Sequence, residues 1–160
     1  KDVISIANGK SIPVGVDPKK KNFLAYKNVS LFKPNLKELK EGLGINFKHD
    51  IIEEILKAVD ILHDKLNCRY IMTTLSERGV LIKDYEKGIY HHIPAHLRQI
   101  ADVSGAGDTV LSVAMLCLVN QQDAYHIAAM SNLAGGLVCE ELGAVPINKD
   151  KFAEEIKKIF

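Results

Sequence analysis

Ile100-Ala101-Asp102-Val103-Ser104-Gly105-Ala106-Gly107-Asp108-Thr109-Val110 is the stretch on which the reading of this chain turns. A polar segment with two glycines and two aspartates runs directly into an apolar pattern at Val110, Leu111, Val113, Ala114, Leu116, Cys117 and Leu118. That change predicts a loop feeding a helix, with Gly105 to Gly107 at the helix N-terminus. The first backbone N–H groups of a helix have no intrahelical acceptor. Together with the positive end of the helix dipole they suit an anion such as phosphate. Small residues here let the anion reach the backbone. Asp108 adds negative charge at the same point. It reads either as an acidic first-turn residue favoured by the dipole, or as a carboxylate that takes a proton from an attacking hydroxyl.

Working outward toward the N-terminus, the hairpin region precedes this stretch. Tyr70 to Thr74 reads as a strand, Ser76-Glu77-Arg78-Gly79 as a turn, and Val80 to Lys83 as a strand. A further turn at Glu86-Lys87-Gly88 leads to a strand ending at Ile93. His91 and His92 are neighbours on that strand, so they point to opposite faces and form no metal pair. Apolar residues at Ile51, Ile55, Val59, Leu62 and Leu66 mark an amphipathic helix between Asp50 and Leu66. His63 within it is expected at its surface or boundary.

Leu31-Phe32 forms a short strand followed by Lys33-Pro34-Asn35-Leu36-Lys37-Glu38. Asn35 suits a helix N-cap, and Glu38 three residues on completes a capping box. The same place, where a strand gives way to a helix, is also where α/β proteins bind ligands. Ile12, Val14 and Val16 alternate as a strand that ends at Asp17-Pro18. Lys19, Lys20 and Lys21 are expected in a solvated loop, and Lys1 to Lys10 in a helix. Beyond the central stretch, Gln121-Gln122-Asp123 breaks the pattern. A helix rich in small residues is expected from Ala124 to Leu142, ended by Gly143. Another amphipathic helix covers Lys151 to Phe160.

The 160 residues are 47% hydrophobic and carry 21 basic against 20 acidic side chains, which describes one globular unit, residues 1–160. A net charge of +1 gives no field for nucleic acid. No apolar run approaches the roughly 20 residues of a membrane span, and no signal peptide is visible. Cys68, Cys117 and Cys139 lack metal spacing and read as reduced thiols of a cytoplasmic protein.

D-V-S-G-A-G-D-T-V at 102–110 resembles the C-terminal signature of the ribokinase-like (PfkB) carbohydrate kinases, D-x-x-G-A-G-D followed by a small-residue-rich helix. The resemblance implies that Gly105, Ala106 and Gly107 form the anion hole for a transferring phosphoryl group, with Asp108 as catalytic base. Val113 stands where a small residue is common. Asn35 and Glu38 resemble the family's N-x-x-E motif, which positions magnesium and phosphate, largely through water. Thr74, Ser76 and Gly79 correspond to its nucleotide-lining region, although a simple β-turn accounts for Gly79 equally well. Asn132 resembles the position beside adenine or ribose. The Asp102 loop and the Gly143 neighbourhood correspond to a potassium-type monovalent cation site built mainly from backbone carbonyls.

On this resemblance the fold is α/β: the C-terminal, nucleotide-binding half of a ribokinase-like mixed sheet sandwiched by helices. The glycine-rich sugar-binding signature and lid sheet of the other half have no counterpart. The implied activity is transfer of the γ-phosphoryl group of ATP, with Mg2+, to a small sugar or sugar-phosphate. The likeness is closest to D-glycero-D-manno-heptose 7-phosphate 1-kinases of ADP-heptose and lipopolysaccharide core synthesis. Ribokinase or fructokinase chemistry is the alternative, as is a nucleotide-binding fragment inactive by itself. Neither nucleic acid nor membrane is an expected partner; a second copy in a homodimer is.

Overall fold

A computed structural model describes residues 2–96 and 100–159. Its centre is a five-stranded sheet: β1 (Gly15–Val16), β2 (Leu31–Phe32), β3 (Tyr70–Thr74), β4 (Val80–Asp84) and β5 (Ile89–Ile93), in that spatial order. β1, β2 and β3 are parallel, with Phe32 opposite Ile71. β3, β4 and β5 form an antiparallel meander, with Tyr70 opposite Asp84 and Thr74 opposite Val80. The sheet is therefore mixed, as expected. Its three parallel strands end along one edge, at Asp17, Lys33 and Leu75.

Among the described residues, six α-helices surround the sheet: α1 (Asp2–Gly9), α2 (Leu36–Leu43), α3 (Ile52–Leu66), α4 (Ala106–Val119), α5 (Ala124–Val138) and α6 (Lys149–Ile159). Alternation along the strands divides the core in two. Phe32, Ile71 and Leu81 face Leu39 of α2 and Ile55, Val59, Leu62 and Leu66 of α3. Leu31, Tyr70, Met72, Val80 and Ile82 face Val110, Val113, Ala114 and Cys117 of α4 and Ile127 and Ala128 of α5. Burying both faces explains why β3 and β4 read as near-continuous apolar runs rather than alternating ones. The small residues of α5 serve close helix packing, since a Cβ on Gly135 would lie 2.5 Å from Val110 Cγ2.

Several boundaries differ from expectation. The strand expected over Ile12–Val16 is only Gly15–Val16, because the Ile12 amide donates to Ala7 O and the Val14 amide to Ser30 Oγ. Lys20–Ala25 coils into 3-10 turns, not an open loop, and drives Phe23 edge-on against Phe32. The expected turn at Ser76 is likewise a 3-10 turn, Ser76–Arg78. Helix α5 stops at Val138, four residues short of Leu142. The Cys139 carbonyl that would continue it accepts instead from the amides of Ala101 and Asp102. Gly143 is thus not a helix end but a loop residue with φ +78°. His63 does lie at the boundary of α3, stacked on Tyr85 with ring centroids 3.6 Å apart. His91 and His92 diverge: one packs on the Tyr125 ring and the other reaches Arg78 O. Phe160 lies outside the described residues.

Candidate functional site

The edge where the parallel strands end is also where α4 begins. Gly105 caps α4 in the left-handed region, φ +78°, with no side-chain capping bond. Among the described residues, the amides of Gly107 and Asp108 meet no hydrogen-bond acceptor. Open amides and the helix dipole thus point at one place. Asp108 is exposed in the first turn, at the rim of that place.

Two charged groups not picked out as site residues from sequence stand directly beside it. Lys33 is 3% exposed, and its Nζ lies 3.2 Å from Asp17 Oδ1. A Cβ built on Gly107 would lie 3.5 Å from Lys33 Nζ and 3.8 Å from Asp17 Oδ2. The ends of β1 and β2 therefore deliver an ion pair onto the glycine backbone. A signal existed for both residues: each is charged, follows an apolar strand and precedes a proline.

Asp102 fixes the loop in front of α4. Its Oδ1 accepts from the amide and the hydroxyl of Ser104, at 2.9 and 2.8 Å, and its Oδ2 from the Gly143 amide at 3.0 Å. The Ser104 amide, the Ser104 hydroxyl and the Gly143 amide hold its carboxyl below the usual carboxylate range. Ala144 closes on the same loop, 3.3 Å from a Cβ built on Gly105.

Asn35 and Glu38 form the capping box in full: Asn35 Oδ1 accepts from the Glu38 amide and Glu38 Oε2 from the Asn35 amide, both at 2.8 Å. One oxygen of Glu38 is therefore committed to starting α2. Asn35 also bridges to Thr74 at the end of β3, and the Thr74 amide donates to Pro34 O. Those two residues therefore lie side by side at the ends of their strands. Ser76 follows at φ +58°, exposed.

Gly79 has a packing reason of its own. It sits at φ +87°, and a Cβ would fall 2.0 Å from Ile93 O and 2.6 Å from Ala95 N. Asn132 is nine-tenths buried on α5, where its Nδ2 donates to Pro94 O at 2.9 Å. Its amide thus ties α5 to the segment after β5. Among the described residues no group of three or more His, Cys, Asp or Glu side chains could cage a metal ion. A divalent ion here would depend on ligand oxygens and water, the mode magnesium favours. No described helix is long and apolar enough to cross a membrane.

The sequence pattern of the pfkB family carbohydrate kinases matches residues 1–151. The bifunctional protein HldE of Campylobacter curvus is 35% identical over 157 residues, covering 98% of this chain and 32% of that protein. HldE of Syntrophotalea carbinolica is 33% identical over 152 residues, covering 95% and 30%. The chain thus spans about a third of the length of these relatives. Phosphofructokinase-2 of Escherichia coli, solved in complex with potassium, superposes with a TM-score of 0.86 at 20% identity over 99% of this chain and 51% of its own. Arabidopsis thaliana ribokinase, solved with ribose and ATP, gives 0.81 at 19% identity over 98% and 51%. The fold is ribokinase-like, and the chain belongs to the pfkB family of carbohydrate kinases.

Proposed function

We propose, from that membership, that this chain carries the nucleotide and phosphoryl-transfer half of an ATP-dependent sugar kinase. The observation behind this reading is the start of α4. Among the described residues, Gly107 and Asp108 present amides without acceptors, and Asp108 adds a carboxylate at the rim. Such amides stabilise charge on a phosphoryl group in flight, and a carboxylate at their edge can take the proton of an incoming hydroxyl.

In this mechanism Asp108 receives the sugar hydroxyl proton as that oxygen attacks the γ-phosphorus in line, while the bond from the γ-phosphorus to the β,γ-bridging oxygen breaks and ADP leaves. The amides of Gly107 and Asp108 hold the transferring oxygens, with Gly105 and Ala106 supplying the bare backbone before them; the Ala106 amide itself donates to Val103 O. Asp102, by bracing the Ser104 and Gly143 loops, keeps those amides in place and brackets a monovalent-cation site between the loops. Thr74 and Ser76 line the nucleotide, with Gly79 setting the turn that carries them and Asn132 at its adenosine end. Glu38 Oε1, the oxygen outside the capping box, and Asn35 would hold water around Mg2+, which supplies charge neutralisation to the phosphates.

The favoured acceptor is D-glycero-D-manno-heptose 7-phosphate at its anomeric hydroxyl, because the HldE relatives align along nearly the whole chain. A ribokinase or fructokinase type of acceptor is the alternative. Calorimetric titration with ATP and magnesium, followed by turnover of heptose 7-phosphate, ribose and fructose 6-phosphate by the protein, tests the scheme. ATP binding with heptose 7-phosphate turnover supports it, and no ATP binding at millimolar ligand overturns it. ATP binding without any turnover supports a second reading. In it the chain is a nucleotide-binding unit, consistent with its covering half of its structural neighbours.

A further inference from the structure

We propose that His92 is a positioning residue for nucleotide binding: by donating to the Arg78 carbonyl it locks the Ser76–Gly79 turn onto the end of β5. This rests on the reading above that Thr74 and Ser76 line the nucleotide. It concerns a residue outside both the 102–110 motif and the turn itself.

The turn supplies most of its own hydrogen bonds. The Arg78 amide donates to Leu75 O at 3.2 Å, the Gly79 amide to Ser76 O at 3.0 Å and the Leu75 amide to Gly79 O at 2.7 Å. The Arg78 carbonyl finds its partner outside the turn, in His92 Nε2 at 2.9 Å. A carbonyl oxygen only accepts, so His92 carries a proton on Nε2. This bond lies in an exposed place, where water would satisfy the carbonyl nearly as well. What the imidazole adds over water is therefore location rather than stability: it ties the turn to a strand.

A second attachment stands one residue on. Gly79 lies so close to the Ile93–Ala95 backbone that a Cβ would fall 2.0 Å from Ile93 O and 2.6 Å from Ala95 N. That strip of backbone is itself anchored to α5, through the bond from Asn132 Nδ2 to Pro94 O. One attachment would leave the turn free to pivot, whereas two at neighbouring residues set both its place and its orientation. Ser76 shows what this achieves. It sits at φ +58°, a conformation that strains a residue with a side chain and persists only where the surroundings impose it. Ser76 is exposed, and among the described residues its amide meets no acceptor. Core packing thus gives no reason for the strained turn, whereas presenting that amide and hydroxyl to a ligand does.

Two exchanges separate the donor from the ring. His92→Phe keeps an aromatic ring and removes the donor; His92→Gln keeps a side-chain N–H and removes the ring. Both would be made in the protein that carries this chain and titrated calorimetrically with ATP and magnesium, with thermal midpoints taken without ligand. His92→Phe should weaken ATP roughly 3- to 10-fold, the scale of one neutral hydrogen bond. Its thermal midpoint should stay within about 3 °C of wild type. His92→Gln should bind ATP within about twofold of wild type. Unchanged ATP affinity in His92→Phe overturns the role of His92 and leaves the kinase reading standing. Equal losses in both variants assign the effect to the ring and overturn the clamp. A His92→Phe protein that melts far lower, or does not fold, makes His92 a stability residue and overturns it as well. A wild-type protein that binds no ATP removes this inference together with the kinase reading.

Discussion

Two parts of the molecule gather charged side chains in partly dry surroundings, and they do so in opposite ways. On the α3 face of the sheet, Asp60 Oδ1 accepts from Lys83 Nζ and from the Tyr85 hydroxyl, while His63 stacks on the Tyr85 ring and its Nδ1 meets Cys68 O at 3.0 Å. Each group there finds its partner inside the cluster. At the start of α4, among the described residues, the Gly107 and Asp108 amides meet no acceptor, while the Lys33 ammonium beside them is paired with Asp17. A cluster that closes on itself has no donor left to offer, whereas one with open amides keeps the capacity to bind an acceptor. Abundance of titratable groups does not separate the two, whereas their state of satisfaction does.

The largest effect expected at the open end is on turnover. Asp108→Asn in the protein that carries this chain should lower kcat about a hundredfold or more while the Kd for ATP changes little. A variant with near-normal turnover would remove Asp108 from the mechanism and the contrast with it. Next in size is a purely structural effect. Gly79→Ala puts a methyl group onto Ile93 O at a positive φ, and should destabilise by about 2–4 kcal/mol in urea titration. A loss below about 1 kcal/mol would show that the segment after β5 yields easily.

The closed cluster predicts smaller changes and none in activity. Tyr85→Phe deletes one hydrogen bond to Asp60 and should cost about 1 kcal/mol of stability, with ATP affinity unaltered. Altered ATP binding would connect the two regions and spoil the distinction. Smallest is a pH effect. Burial pushes the Asp60 carboxyl up, but its hydrogen bonds from Lys83 and Tyr85 and the Lys83 charge outweigh that and leave it below its ordinary value. A lowered folded pKa contributes stability above the unfolded value and loses it as pH falls through the folded one. Thermal midpoints should therefore drop more steeply below about pH 4 in wild type than in Asp60→Asn. Parallel curves would mean that the carboxylate is solvated in solution.

The motif at 102–110 was legible because its chemistry lies in consecutive residues: glycines, aspartates and an apolar helix in fixed order. The capping box at Asn35 and Glu38 was legible for the same local reason. The meander was marked by Gly79 and Gly88, both at positive φ. Lys33 and Asp17 escaped as site residues because they are sixteen residues apart and meet only through parallel pairing of β1 and β2. Gly143 was misread since a glycine after a helical pattern looks like a cap, whereas its amide is used by Asp102, forty-one residues away. Asn132 could be seen as an odd polar group in an apolar helix, but its partner Pro94 O is a backbone atom that leaves no trace in composition.

The bond from Gly143 to Asp102 also carries a consequence for the order of assembly. A chain emerging from the ribosome exposes the glycine loop well before the segment that braces it, and folding of a nascent chain proceeds from its N-terminal side. Until Gly143 and Ala144 arrive, Asp102 Oδ2 lacks its acceptor role and Gly105 lacks its neighbour. The loop in front of α4 is thereby among the last parts to be braced, so an incomplete chain presents the 102–110 motif without that support.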